Sequence, residues 1–248
     1  MKGRNIQVFV VFSILIYASN SLEATTYMYI LAQEWVGSVC KVEPSCPYMG
    51  KYDGQRWNMH GLWPNTQLTS SCGSIQYCRT DPYDSSKIYK NTKDLLDVVW
   101  NGLYSDTETF RGYEWEKHGT CYPGEVSQNY FFQTAAGLAQ KYNYYSILAK
   151  AGIYPDNSRQ LFESDIRNAF AAVLGTNVKI TFSCFKDQVT GKFLLGQLKI
   201  CFDEQLQIRT CNCKLNDEEN DIDEQQNDSQ FQAQPLVSCG SVFYYPEL

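Results

Sequence analysis

The sequence has 248 residues, with 21 Lys and Arg against 27 Asp and Glu, which gives a net charge of −6 at pH 7. A chain of this length suits one domain, or at most two, with enough residues to bury a core. The negative net charge argues against unspecific binding of nucleic acid through a broad basic face.

The first segment, residues 1–24, has the layout of a secretory signal peptide. Lys2 and Arg4 precede an apolar run that extends from Ile6 to Ala18, and small polar residues follow. The apolar run is shorter than the ~20 residues that a membrane-spanning helix needs. We therefore expect an exported protein that has no membrane attachment after cleavage. Its destination would be the extracellular space or the lumen of a lysosome or vacuole, and residues 25–248 would form a single domain.

Two aromatic-rich segments follow, TYMYILAQEW at 26–35 and QRWNMHG at 55–61, and both are typical of strands. From Asn91, which can cap a helix, apolar residues recur at helical spacing. The recurring residues are Leu95, Leu96, Val99 and Leu103.

Residues 126–141 and 158–174 also predict helices, and Gly175 would end the second one. The C-terminal third returns to strand patterns at residues 177–185, 192–202 and 235–245. Helices grouped between strands favour an α+β fold over alternating βαβ units.

The segment EWEKH, residues 114–118, would place three ionisable side chains on one helical face. Glu114 and His118 are four residues apart, and Lys117 is three residues from Glu114. Lys117 is suited to stabilising negative charge, and Glu114 can hydrogen-bond a polar group. His118 is the natural proton carrier, because the unperturbed pKa of histidine is about 6.5.

The only other histidine is His60, in the segment WNMHG. Strand alternation would place Asn58 and His60 on one face, and Gly61 would let another chain or a ligand approach closely. A lone histidine in a strand is more often structural than catalytic. Here, however, both histidines lie beside tryptophans and glycines, and two imidazoles can form an acid–base pair.

An acid–base pair with a lysine beside it suits phosphoryl transfer, in which negative charge develops in the transition state. We interpret the two histidines as catalysts of RNA transphosphorylation that need no metal or other cofactor. The sequence motifs of serine hydrolases, zinc proteases and phosphate-binding loops are absent. A Cys–His protease is conceivable, but Cys121 is better interpreted as half of a disulfide.

All ten cysteines lie beyond the expected signal peptide, and in an exported chain they predict up to five disulfides. The one close pair, Cys211 and Cys213, has no histidine nearby, which argues against a zinc site. Residues 215–234 are strongly acidic and contain the sequon Asn227-Asp228-Ser229. We expect this stretch to be a disordered insertion. It could be a regulatory or solubilising arm, but a tolerated surface insertion is the interpretation we favour.

Two segments, HGLWPN at 60–65 and EWEKHGTC at 114–121, resemble the active-site segments of the ribonuclease T2 family of acid endoribonucleases. The resemblance extends over essentially the whole mature chain, including WVGSVC at 35–40. It implies an α+β core with a central antiparallel sheet and helices packed on it. It also implies a monomer that acts on single-stranded RNA with low base specificity.

The resemblance implies roles for individual residues as well. His60 would be the general acid of the first step and His118 its base, while Glu114 and Lys117 would stabilise the pentacoordinate phosphorane. Further residues would bind substrate, with Trp63 and Asn65 in a first base pocket and Phe110 in a second.

The resemblance suggests three disulfides outright: Cys40–Cys46, Cys78–Cys121 and Cys184–Cys239. Cys201 would join either Cys211 or Cys213. Cys72 and the remaining C-terminal cysteine are left over; they could pair with each other, but the sequence does not settle their connectivity.

Three residues depart from the family pattern. Tyr113 replaces a histidine that usually binds phosphate; its phenol can donate a hydrogen bond to substrate but carries no positive charge. Arg111 stands where the family usually has tryptophan, and we hypothesise that it partly replaces the missing charge. Glu34 aligns with a glutamine that contacts the second base. An alternative is therefore a weakly active or inactive relative that binds RNA or protein or serves as a storage protein.

Overall fold

The computed structural model describes residues 26–43, 46, 54–67, 72–124, 126–211 and 235–248. The expected signal peptide, the acidic segment with its sequon, and Cys213 lie outside these residues.

Strands and helices alternate irregularly along the described chain. The first half contains β1 (Thr26–Glu34), α1 (Val36–Val42), β2 (Asn58–Gln67), β3 (Cys72–Ser74), α2 (Lys90–Val99), α3 (Thr107–Lys117) and α4 (Gln128–Lys141). The second half contains α5 (Tyr144–Lys150), β4 (Asp156–Leu161), α6 (Glu163–Leu174), β5 (Thr181–Lys186), β6 (Phe193–Phe202), β7 (Ile208–Arg209) and β8 (Phe243–Tyr245).

The strands of the described residues form one sheet in the order β3–β2–β1–β6–β8–β4, and β5 and β7 also pair with β6. All of these pairs are antiparallel except β6 with β8, which meet in parallel at Leu194 and Tyr244. The expected α+β fold with a central antiparallel sheet is confirmed.

The two faces of β1 belong to different parts of the core. Tyr29 and Leu31 point into the main core, whereas Met28, Ile30 and Ala32 pack with Trp63 on the opposite face. This division follows from the two-residue period of a strand. The main core contains large aromatic side chains from α3, α4 and the end of α2, namely Trp100, Trp115, Phe131 and Phe132. Such residues bury 150–250 Å² each as a rough guide, so they dominate the hydrophobic stabilisation.

Two predicted helices are confirmed with shifted ends. The helix expected at 126–141 begins at Gln128, because the Ser127 side chain accepts a hydrogen bond from the Tyr130 amide and caps it. The helix expected from Asn91 begins one residue earlier and ends at Val99, so Leu103 lies beyond it.

Three predicted elements need correction. Residues 158–161 are not helical, because they belong to β4, which pairs with β8; helix α6 begins only at Glu163. Gly175 ends α6 as expected, with a φ of 106°. The strand expected at 177–185 runs from Thr181 to Lys186, and the one expected at 235–245 is confined to Phe243–Tyr245. The ends of these elements depend on pairing with distant strands, which a local sequence pattern does not contain.

The described residues contain four disulfides: Cys40–Cys46, Cys78–Cys121, Cys184–Cys239 and Cys201–Cys211. The pairings suggested by the resemblance are confirmed, and Cys211 is the partner of Cys201. Within the same part of the chain, every helix is too short or too polar to cross a membrane.

Candidate active site

His60 lies at a bulge between β1 and β2. In the pairing of these strands Ala32 is opposite Gly61 and Gln33 is opposite Met59, so His60 is the additional residue. A bulge redirects the side chain of the inserted residue, and bulges are frequent next to active sites. Met59 is fully buried, whereas the side chain of His60 keeps 15% of its exposure. The bulge therefore leaves the side chain of His60 partly exposed, which regular strand alternation would not do.

Helix α3 supplies the second group of ionisable residues. The Asp106 carboxylate accepts hydrogen bonds from the amides of Glu108 and Thr109 and caps the start of the helix. The helix ends at Lys117, and His118 follows as its C-cap before a 3-10 turn at Gly119–Cys121. The Cys78–Cys121 disulfide and a hydrogen bond from the Tyr77 amide to the Lys117 carbonyl fasten this end of α3.

The two histidines meet at the indole of Trp63. The ring of His60 lies 5.2 Å from the Trp63 ring in an edge contact, and the ring of His118 lies 5.4 Å from it. His118 is 3% exposed, so His60 is the more accessible of the two imidazoles.

Glu114 connects the same three side chains. Its Oε2 accepts a hydrogen bond of 3.0 Å from Nε1 of Trp63, and its Oε1 lies 3.8 Å from Nε2 of His60. The carboxylate is buried, at 1% exposure. Gly61 makes this approach possible, because a Cβ there would lie 2.2 Å from Oε2 of Glu114 and 2.3 Å from Nε1 of Trp63. The expected close approach at Gly61 is thus made by the chain itself.

Lys117 and Tyr113 form a pair on α3. The Lys117 ammonium donates a hydrogen bond of 2.8 Å to the Tyr113 hydroxyl and lies 5.1 Å from the centre of its ring. Lys117 is buried. Tyr113 therefore lies beside the ammonium of Lys117, which the sequence predicts to stabilise negative charge. The Tyr113 hydroxyl oxygen accepts a hydrogen bond from that ammonium.

Phe110 contacts His60, and Asn65 lies in the same strand as His60 and Trp63. The Phe110 ring is buried and lies 5.8 Å from that of His60. Asn65 follows Trp63 by two residues in β2 and is buried opposite Met28 of β1. Phe110 is therefore next to His60, and the base pockets stay a prediction.

Arg111 lies elsewhere, and the hypothesis that it supplies charge to the site needs correction. Its guanidinium is 2% exposed and donates to the Trp100 carbonyl at the end of α2. It also pairs with Asp97 at 3.0 Å and with Glu108 at 3.1 Å. The burial and these partners make Arg111 a connection between α2 and α3, and they leave its charge neutralised.

Glu34 and Gln197 are neighbours of His60 that motif analysis did not identify as site residues. Oε1 of Glu34 lies 3.3 Å from Nδ1 of His60, and Nε2 of Gln197 lies 2.9 Å from the same nitrogen. The sequence signal that could have identified these neighbours is Gln197 itself, a polar residue in the apolar strand FLLGQLKICF.

The charge of Glu34 also acts on Tyr104. Burial, and after it the negative charges of Glu34 and Glu43, raise the pKa of the Tyr104 phenol well above its ordinary value.

Lys199 is a further neighbour that was missed. Its ammonium lies 5.2 Å from the centre of the Trp63 ring, within the range of a cation–π contact.

Among the described residues there is no group of three or more His, Cys, Asp or Glu that could hold a metal ion. That the reaction needs no metal stays a prediction.

Comparisons with known proteins agree with one another. A model of the Ribonuclease T2 family matches residues 25–213. Ribonuclease 1 of Arabidopsis thaliana is 36% identical over 197 residues, which cover 75% of this chain and 79% of that protein. Extracellular ribonuclease LE of Solanum lycopersicum is 34% identical over 187 residues, 71% of this chain and 75% of that one. The crystal structure of RNase NT in complex with 5'-AMP matches with a TM-score of 0.68 at 25% identity, over 90% of this chain and 99% of that chain.

Proposed function

The chain belongs to the Ribonuclease T2 family of endoribonucleases, and from this membership we propose that it cleaves single-stranded RNA by metal-independent transphosphorylation. The product of the first step is a 2',3'-cyclic phosphate, and base specificity is low. The observation that carries the proposal is the contact of both histidines with Trp63, beside the carboxylate of Glu114.

In the first step His118 accepts the proton of the ribose 2'-hydroxyl, and the 2'-oxygen attacks phosphorus. His60 donates a proton to the 5'-oxygen as the bond between that oxygen and phosphorus breaks. The accessible position of His60 supports its role toward the leaving group, which must depart into solvent. In the second step the roles reverse, since His60 takes a proton from water and His118 returns one to the 2'-oxygen.

The pentacoordinate phosphorane gains negative charge, which Lys117 is suited to stabilise. Its ammonium donates to the Tyr113 hydroxyl and carries the positive charge that this role needs. Glu114, held by the indole of Trp63, would orient the polar groups of the site. Tyr113 would act through Lys117, whose ammonium it positions.

Base recognition in this proposal depends on rings. Trp63 and Asn65 would line the first base pocket and Phe110 the second. Stacking of a base on an aromatic ring contributes about 1–3 kcal/mol and tolerates any base, which agrees with low specificity. Lys199 beside Trp63 adds a cation near this pocket.

We also propose that residues 1–24 are a signal peptide and that residues 25–248 act as one monomeric domain. The name of Extracellular ribonuclease LE supports export. The mature protein would be secreted or delivered to a lysosome or vacuole. N-terminal sequencing of the processed protein would locate the cleavage site, and a retained segment 1–24 would contradict this part of the proposal.

The deciding experiment is incubation of the purified protein with polyuridylate at pH 5 in the presence of EDTA. We expect cleavage with 2',3'-cyclic phosphate ends. His60→Ala and His118→Ala should each lower turnover by about 10²–10⁴-fold, because each removes a proton carrier. Cleavage that EDTA stops would indicate a metal-dependent nuclease. Tight RNA binding without cleavage would indicate a binding protein instead of an enzyme.

A further inference from the structure

The surroundings of Nδ1 of His60 come from three adjacent strands. His60 lies in β2, Glu34 ends β1, and Gln197 lies in β6 directly opposite Glu34. The three side chains form a closed triangle, since Nε2 of Gln197 also lies 3.4 Å from Oε1 of Glu34. Glu34 and Gln197 are buried, at 4% and 1% exposure.

Glu34 is a buried carboxylate whose ion-pair partner, among the described residues, is His60 alone. A buried carboxylate is costly unless it is paired and hydrogen-bonded. No lysine or arginine of the described chain forms an ion pair with it, so the cation best placed to compensate its charge is the protonated ring of His60.

We propose that Glu34, held by Gln197, is a positioning residue for His60, fixing its ring and favouring its protonated form. This inference rests on the proposed function, in which His60 is the proton donor to the leaving oxygen. Glu34 and Gln197 contact Nδ1, whereas Nε2 faces Glu114. Nε2 is therefore the nitrogen that would donate the proton to the leaving oxygen.

The contact of Gln197 with Nδ1 depends on the protonation state of that nitrogen, because an amide N–H cannot donate to another N–H. When Nδ1 has a lone pair, the Gln197 amide can donate to it across 2.9 Å. When Nδ1 is protonated, it can donate to Glu34, which also accepts from Gln197. If the proton is exchanged at Nε2, Nδ1 keeps its hydrogen in both states of the acid–base cycle, and Glu34 is its acceptor throughout.

Other charges act on the same ring. Glu114 approaches Nε2 at 3.8 Å and also favours the protonated form. Lys117 follows Glu114 by three residues in α3, and Lys199 lies against Trp63; their positive charges oppose protonation, as does His118 once it has accepted a proton. Glu34 is the carboxylate nearer to the ring, so removing its charge should have a measurable effect.

The test is Glu34→Gln, which keeps the shape of the side chain and removes its charge. Because the chain has only two histidines, their ring resonances can be followed by NMR from pH 4 to 9. We expect the titration midpoint of His60 to fall by about one pH unit. The alkaline limb of the pH profile of kcat/KM on polyuridylate should shift by a similar amount.

Glu163→Gln is the matched control, since Glu163 pairs with Arg167 on the surface of α6. It should leave the His60 midpoint and the pH profile unchanged. Glu34→Asp keeps the charge but withdraws it from the ring, so its shift should be smaller than that of Glu34→Gln. This second variant also decides the question if glutamine is not tolerated at position 34.

An unchanged His60 midpoint in a folded Glu34 variant would overturn the inference. The NMR measurement needs no catalysis, so it separates this inference from the proposed function. If the unaltered protein fails to cleave RNA while the midpoint still shifts, the proposed function is wrong and the coupling of Glu34 to His60 stands.

Discussion

Trp63 donates a hydrogen bond of 3.0 Å from its indole Nε1 to Oε2 of Glu114, and this bond joins β2 to α3 beside both histidines. The second carboxylate oxygen of Glu114, Oε1, therefore faces His60. One indole thus contacts both histidines and holds the carboxylate between the strand and the helix.

Replacing Trp63 with phenylalanine should lower kcat/KM on polyuridylate by about tenfold or more. The ring contacts survive in part, but the buried Glu114 loses a donor, and a hydrogen bond to a charged group contributes about 1.5–3 kcal/mol. Trp57→Phe is the control, because it removes the hydrogen bond of 3.0 Å to Tyr245 in the core. We expect it to lower the unfolding temperature and leave activity intact. Full activity in Trp63→Phe would show that the hydrogen bond does not contribute.

Substitution of Gly61 by alanine should inactivate the enzyme. The new methyl group would lie within 2.3 Å of Nε1 of Trp63 and closer still to Glu114, so the two partners must separate. We expect a loss of at least tenfold in kcat/KM, measured on folded protein. Gly137→Ala in α4 is the control, since nothing lies within 4 Å of its Cβ. That variant should keep its activity and gain about 0.5–1 kcal/mol of stability.

Arg111→Ala should destabilise the protein and leave KM for RNA almost unchanged. The variant loses the hydrogen bonds to the Trp100 carbonyl and opens a cavity between α2 and α3, at a cost of roughly 2–4 kcal/mol. Lys90→Ala removes an exposed pair with Asp94 and should cost less than about 1 kcal/mol. Urea unfolding and Michaelis kinetics on both variants test this. A rise in KM with unchanged stability would restore a role for Arg111 in phosphate binding.

Buried tyrosines, Tyr144 and Tyr245 among them, should make stability fall at alkaline pH. Burial raises the pKa of Tyr144 and of Tyr245 well above the ordinary value. Their stabilising contribution is complete below about pH 10, the value for the unfolded chain, and is lost as pH rises above it, because the unfolded state releases its protons first. The free energy of unfolding should therefore decline by up to about 1.4 kcal/mol per group and pH unit.

Urea unfolding between pH 8 and 11 measures this decline, and Tyr144→Phe should show a shallower one. Phenol absorbance provides an independent check. If these two phenols ionised near pH 10 in folded protein, their burial would not have the expected effect.

The sequence alone was sufficient to identify the family and to single out the candidate catalytic residues. Only two histidines were available, and their segments HGLWPN and EWEKHGTC marked both of them. The helical spacing of Glu114 and Lys117 is a local property, so their common helix could be predicted, whereas His118 is the residue that ends it. The resemblance also implied three of the four disulfides, whereas the choice of Cys211 as the partner of Cys201 came from the structure.

The tertiary structure decided what depends on contacts between distant strands and helices. The bulge at His60 arises from the register of β2 against β1, and the triangle with Glu34 and Gln197 needs β6 beside them. Arg111 looked like a phosphate ligand because its spacing from Glu114 was suitable, yet the carbonyl of Trp100 and the acids of α2 and α3 bind it. Local pattern specifies which face a residue occupies, whereas its partners are set by chain segments far away in sequence.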